Sequence, residues 1–234
     1  MDRVELTAAD GRRSIKSFVL RGSRLATYQL EALERFSDHY VIPFSDTPVS
    51  FENLFGNTHP TIVEIGFGMG HSTERIARDR SEYNYLGIEV FLNGFTKLLH
   101  AIGTSELEHV RLIRFDAVEV VKTMLTNGSV AGFHIFFPDP WPKKKHHKRR
   151  LIQPDFVKLL TQKLSEHGYI YCVTDWEEYA EHMLSVFAQE VELQNPYDGY
   201  APSRSWRPQT SFERKGIEKS HPIREVWVEK VSRG

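Results

Sequence analysis

One cysteine, Cys172, stands in 234 residues. That scarcity excludes an internal disulfide and a thiolate metal cluster, and it fits a reducing cytosol. Nowhere does an apolar stretch approach the length of a membrane span, and the N-terminus, MDRVELTAADGRRSIKSF, has no apolar signal core. A soluble, cytoplasmic protein is expected. The eleven histidines show no zinc-type spacing, so no metal site is expected. Internal repeats and long low-complexity segments are missing as well. Net charge is only -1, so the chain as a whole has no need of basic residues. Any local concentration of them therefore carries information.

Such a concentration follows one short strand. In Phe133 to Arg150, FHIFFPDPWPKKKHHKRR, an apolar run meets a Pro-Asp-Pro-Trp-Pro turn and then six formal positive charges with two histidines and no acid. The aromatic and β-branched run, bounded by Gly132 and Pro138, predicts a fully buried strand of a parallel sheet. Asp139 then falls at the strand's end. Prolines at 138 and 140 fix φ on both sides and bias Asp139 away from helix, so its carboxylate sits in a stiff loop suited to a positioned reactive group. The run from Lys143 to Arg150 suits a phosphate backbone. A solvated basic face beside an ordinary turn is the competing reading.

Residues 1–25 carry six arginines and lysines around a small apolar patch without periodicity, which predicts a mobile basic arm. Residues 26–234 read as one domain. A helix is expected over 27–40, ending before Pro43, then a connecting loop over 41–60. From Thr61 onward, buried strands alternate with helices, which predicts an open, mostly parallel α/β sheet. Strands are expected near 61–66, 84–90, 110–115, 132–137 and 169–174, with helices near 71–80, 92–102, 117–126, 153–166 and 176–188. Two later strands fit 191–193 and 224–229. In such sheets the ligand lies beyond the carboxyl ends of the strands where their order reverses, which would bring the loop after Ile65 beside Asp139.

That loop, Glu64-Ile-Gly66-Phe-Gly68-Met-Gly70, has the strand-loop-helix context of a nucleotide-type glycine loop. Its spacing is GxGxG, since His71 stands where a dinucleotide loop needs its third glycine, and Glu64 would repel a pyrophosphate. S-adenosylmethionine fits better: it has no phosphate and carries a sulfonium and an ammonium. Glu89, ending the second strand, is placed to accept from ribose hydroxyls, and Asp116, after the third, to reach an adenine edge. For Asp116 a helix cap competes with that role.

Together these residues resemble the bacterial tRNA (guanine-N7-)-methyltransferase family. The resemblance rests on EIGFGMG at 64–70, IEV at 88–90, PDPWPKKKHHKRR at 138–150, VTDWEEYA at 173–180 and TSFERKG at 210–216. It implies a Rossmann-like methyltransferase fold, a mostly parallel seven-stranded sheet with helices on both faces, and methyl transfer from S-adenosylmethionine to N7 of a guanine in the tRNA variable loop. By resemblance, Glu64, Gly66, Gly68, Gly70, Glu89, Asp116 and Asp139 serve the cofactor, with Asp139 also the catalytic residue. Lys143, Asp175, Thr210, Ser211, Phe212 and Glu213 would bind the substrate nucleotide, and Lys145, His146, His147, Lys148, Arg149 and Arg150 the RNA. Asp175 has an alternative as N-cap of a helix beginning at Trp176, and Glu213 as a surface partner of Arg214 or Lys215. The expected partner is tRNA, with a monomer favoured over a homodimer. Two other readings compete: an amino-group methyltransferase on DNA or protein, whose Asp/Asn-Pro-Pro-aromatic loop this turn loosely matches, and a non-catalytic RNA-binding protein that kept the fold.

Overall fold

The computed structural model describes residues 24–209, 213 and 222–231. Seven strands form one sheet: β1 (Thr61–Ile65), β2 (Asn84–Ile88), β3 (Val110–Ile113), β4 (Val130–Phe136), β5 (Leu164–Thr174), β6 (Leu193–Gln194) and β7 (Arg224–Lys230). Their spatial order is β3-β2-β1-β4-β5-β7-β6, parallel from β3 through β5, with β7 antiparallel to both its neighbours. The order reverses between β1 and β4. All five residues of β1 and of β2 are buried, as strands covered on both faces must be.

Alternation along each strand divides the core. Val63, Ile65, Leu86, Ile88, Phe133 and Ile135 point to one face, where α5 (Ala117–Thr123), α6 (Pro154–Lys163) and α7 (Glu177–Phe187) cover them. Ile62, Tyr85, Val110 and Leu112 point to the other, beneath α1 (Thr27–Tyr40), α3 (His71–Asp79) and α4 (Leu92–Thr104). Each fully buried leucine, isoleucine or phenylalanine in these layers contributes roughly 1.5–3 kcal/mol. Helix α1 lies on α4 so closely that a Cβ on Gly103 would stand 2.4 Å from the Phe36 ring.

Three local expectations need correction. The 41–60 segment is not all loop: α2 (Phe51–Phe55) forms there, with Ser50 Oγ accepting from the Asn53 N–H and Gly56 closing it at φ 68°. The helix expected over 153–166 stops at Lys163, whose buried ammonium donates to the Leu125 carbonyl at 2.7 Å, and Leu164 already pairs with Val130 in the sheet. The helix expected over 117–126 likewise ends at Thr123. The arm expected at 1–25 lies outside the described residues, apart from Arg24 and Leu25.

Candidate active site and nucleic-acid interface

At the sheet reversal the ends of β1, β2 and β4 open into a cavity of about 300 Å³, lined among others by Gly66, Gly68, Glu89, Phe115, Phe137 and Asp139. Backbone conformation explains the glycine spacing. Gly66, Gly68 and Gly70 all have positive φ, at 74°, 56° and 77°, a region that residues with a Cβ rarely adopt. The space beside Gly66 and Gly68 is open, so a side chain there would intrude into the cradle. The Gly66 N–H donates to the Ile88 carbonyl at 2.8 Å and carries the β1-β2 ladder to the rim. From the other side, Gly94 of α4 presses on the loop: a Cβ on it would stand 1.8 Å from the Gly68 carbonyl oxygen.

Glu89 ties this loop together. One carboxylate oxygen accepts from the Gly68 N–H at 2.8 Å, and the other from the Val90 and Phe91 N–H groups at 2.7 and 2.9 Å. Burial raises Glu89 above the ordinary carboxyl range, the three N–H donors oppose that shift, and the nearby charge of Asp139 adds to it. Glu64 does not line the cavity. It lies 3% exposed beneath the loop, and burial pushes it up to about 7, with the Thr73 hydroxyl opposing and the Glu89 charge reinforcing the shift. Gly70 is likewise outside the lining. Asp116 caps α5, accepting from the Val118 N–H at 2.9 Å, which is the cap that competed with an adenine contact.

Asp139 stands exposed at the cavity mouth, on a turn whose ends are strained. Phe137 donates its N–H to the Val173 carbonyl at 2.7 Å with φ at 52°, and Trp141 has φ at 46°. Positive φ at two bulky residues costs on the order of 1–3 kcal/mol each and persists only where neighbours impose it. Arg150 is one such neighbour. Its Nε donates to the Pro140 carbonyl at 2.9 Å, and its guanidinium reaches Glu178 at 3.3 Å and lies over the Tyr179 ring. At 3% exposure it faces inward and is a clamp on the turn, which corrects its placement with the RNA-facing residues.

The rest of the basic run does face outward. A 3-10 helix, Lys144–Arg149, leaves Lys143, Lys144, Lys145 and Lys148 exposed on one side of the Asp139 turn. Arg149 lies 4.9 Å over Trp141, and His146 meets that indole edge-on at 5.8 Å. Desolvation and the cations around it hold His146 below the ordinary histidine range. His147 is 3.4 Å from Glu178 and accepts from Gln153 through its carbonyl, so it braces the segment.

Comparison with known proteins fixes the family. A profile described as "Putative methyltransferase" matches residues 58–226. The tRNA (guanine-N(7)-)-methyltransferase of Bordetella pertussis is 48% identical over 213 residues, covering 91% of this chain and 84% of its own. The protein of the same name from Neisseria meningitidis serogroup B is 46% identical over 219 residues, 94% of this chain and 92% of its own. The chain belongs to the tRNA (guanine-N(7)-)-methyltransferase family. The aminoglycoside resistance methyltransferase NpmB1 superposes with a TM-score of 0.54 at 11% identity, over 78% of this chain and 94% of its own, which is a likeness of fold.

The residues that the resemblance assigns to the substrate lie less simply than their motifs suggest. Asp175 follows β5 directly, half-buried, but α7 begins at Glu177 with no side-chain cap, so Asp175 is not spent on the helix. Glu213 is not solvated: it is buried against Arg207 at 2.6 Å. Arg207 also binds Glu225 of β7 at 2.7 Å and donates to the Tyr171 hydroxyl at 3.0 Å, while Tyr171 and Ser203 donate to Glu225. Thr210, Ser211 and Phe212 lie outside the described residues. Sequence reasoning missed Arg207, Tyr171 and Glu225. The one available signal was an acid at an inward position of an otherwise alternating strand, REVWVEK.

Proposed function

We propose that this protein transfers a methyl group from S-adenosylmethionine to N7 of a guanine in the variable loop of tRNA, producing 7-methylguanosine. The observation that carries this reading is the position of Asp139, on a braced turn with the cofactor cavity on one side and an exposed lysine face on the other. The cavity suits this donor. It offers the buried carboxylate of Glu89, the exposed one of Asp139 and a glycine cradle with room for a ligand, and among the described residues no cation lines it to hold a pyrophosphate.

In this reading Gly66, Gly68, Glu89 and Asp139 hold the cofactor directly, and Glu64 and Asp116 support the loops that do so. S-adenosylmethionine, when bound, supplies an electrophilic methyl on a cationic sulfur. Guanine N7 presents an in-plane lone pair, so the chain need not remove a proton before transfer; its tasks are alignment and charge management. Asp139 after β4, with Asp175 after the neighbouring strand β5, stabilises the positive charge that grows on the guanine. Both act as electrostatic orienters. Lys143, Lys145 and Lys148 supply affinity through phosphates, with little sequence information. No helix of the described residues is long and apolar enough to cross a membrane.

The deciding experiment is methyl transfer from labelled S-adenosylmethionine to unmodified tRNA transcripts, with nucleoside analysis of the product and Asp139→Ala in parallel. The expected result is 7-methylguanosine, lost in the variant. Cofactor binding with a different methylated nucleoside would reject the substrate assignment, and activity retained in Asp139→Ala would reject the role of the turn.

A further inference from the structure

Helix α4 meets the glycine loop at Gly94 and again at Leu98, which lies against Gly70, and its first turn is gripped from two sides. On one, Gly94 lies against the Gly68 carbonyl with no room for a Cβ. On the other, the amide of Gln29 in α1, 2% exposed, donates to the Asn93 carbonyl at 3.0 Å and to the Thr96 hydroxyl at 2.7 Å. Thr96 is fully buried and passes its own proton to the Leu92 and Asn93 carbonyls at 3.0 and 3.1 Å. The carbonyl oxygen of the same Gln29 amide accepts from the Ala26 N–H at 3.0 Å. A single buried amide therefore joins the residue where α1 begins to the turn that seats the cofactor loop.

Burial makes this arrangement specific. An uncharged amide in a dry interface is retained only where its donors and acceptors are matched, and here both ends are used. An apolar side chain of the same size would pack as well but would leave the Ala26 N–H and the Asn93 carbonyl without this partner. Leu30, one residue further along, is largely exposed, so α1 keeps Gln29 inward while an apolar neighbour faces solvent.

We propose that Gln29 is a positioning residue for the cofactor: through Thr96 and Asn93 it holds the first turn of α4 so that Gly94 keeps the Gly68 peptide aimed at Glu89. This rests on the reading of the glycine-loop cavity as the S-adenosylmethionine site. Gln29 touches neither cofactor nor tRNA and acts through the loop.

The test uses the full chain with Gln29→Met, Thr96→Val and Thr96→Ser, and three readouts: cofactor affinity by calorimetry, the separate KM values for cofactor and tRNA, and the melting temperature. Loss of one or two buried hydrogen bonds at the turn predicts a rise of about tenfold in cofactor Kd and KM for Gln29→Met. The tRNA KM should stay within about twofold, as a contact remote from the RNA face requires. Thr96→Val should reproduce the defect and Thr96→Ser, which keeps the hydroxyl, should restore wild-type affinity. In a double-variant cycle, Gln29→Met with Gly94→Ala should weaken binding by less than the product of the single effects, because both act on one contact. A lowered melting temperature with cofactor affinity unchanged would overturn the proposal and leave Gln29 a stabilising residue only. A defect confined to tRNA KM would overturn it in favour of an RNA-side role. If Gln29→Met does not fold, Thr96→Val against Thr96→Ser decides alone. Wild-type protein that binds no cofactor would reject the cavity assignment itself, an outcome distinct from any of these.

Discussion

Replacing Glu64 by glutamine should make the cofactor-free protein more stable and the cofactor-bound protein less so. Glu64 is 3% exposed, and burial moves it from an ordinary 4.5 to about 7. A carboxyl whose folded value lies above its unfolded value stays protonated in the native state between the two. Its contribution is intact below 4.5 and is lost as the pH rises through about 7. At pH values well above 7 the cost of holding the buried charge is roughly 3 kcal/mol. Glu64→Gln has the same shape and no charge to desolvate. Its cofactor-free melting temperature at about pH 8 should exceed the wild type by roughly 6–12 °C, while the two should converge near pH 4.5. Cofactor binding should go the other way. If only the ionised Glu64 attracts a cationic ligand, through space from beneath the loop, wild-type affinity rises about tenfold between about pH 6 and pH 8, and the variant's stays flat and weaker. Thermal denaturation and calorimetry across that range, in buffers of different ionisation enthalpy, measure both and report the proton released on binding. Glu89 is also raised by burial, so the difference between variant and wild type decides, and the wild-type profile alone does not. Parallel stability curves, or equal cofactor affinity at about pH 8, would refute the reasoning.

Other perturbations separate the remaining parts. Gly94→Ala forces a Cβ to within 1.8 Å of the Gly68 carbonyl oxygen; the expected cost is about 1–3 kcal/mol in denaturant titrations together with weakened cofactor binding. Arg207→Met removes the guanidinium that buried Glu213 and Glu225 share, so it should cost about 3–5 kcal/mol, a fall of around 10 °C in melting temperature. Burial alone would raise Glu225, but hydrogen bonds from Ser203, Tyr171 and Arg207 outweigh it and hold it below its ordinary value. The wild type should therefore lose stability as pH falls through the carboxylate range, and Arg207→Met should lose less over that interval. Neutralising Lys143, Lys145 and Lys148 together should weaken tRNA binding and flatten the slope of log affinity against log salt by about 2–3, with cofactor affinity unchanged. Arg150→Met, by contrast, should leave that slope within about one charge of the wild type and lower kcat, since Arg150 braces the Asp139 turn.

Where the sequence was legible and where it was not follows from the range of the interactions involved. Strands β1, β2 and β4 are short apolar runs between loop signals, and the glycine loop needs positive φ at Gly66, Gly68 and Gly70. Such features are local, and the family motifs lie on them. Arg150 shows the limit. In a run of eight residues of which six are basic, one guanidinium turns inward because Pro140, Glu178 and Tyr179 offer it a carbonyl, a carboxylate and a ring, from positions up to 29 residues away. Charge patterning describes the run and not its inward member. The same holds for His134, polar within a buried strand, whose ring lies between Phe136 and Trp206 and is pushed down to about 3 by burial and by the charge of Arg80. Glu213 carries the argument furthest. Its motif resembles a substrate-binding stretch, and its carboxylate meets Arg207, which also meets Glu225 of β7, a link that would make it an anchor. Glu213→Gln keeps its shape and a hydrogen-bond acceptor for Arg207, and should retain more activity than Arg207→Met. If the carboxylate instead touched the substrate, that order would reverse, so steady-state kinetics of the two variants on tRNA distinguish an anchor from a ligand.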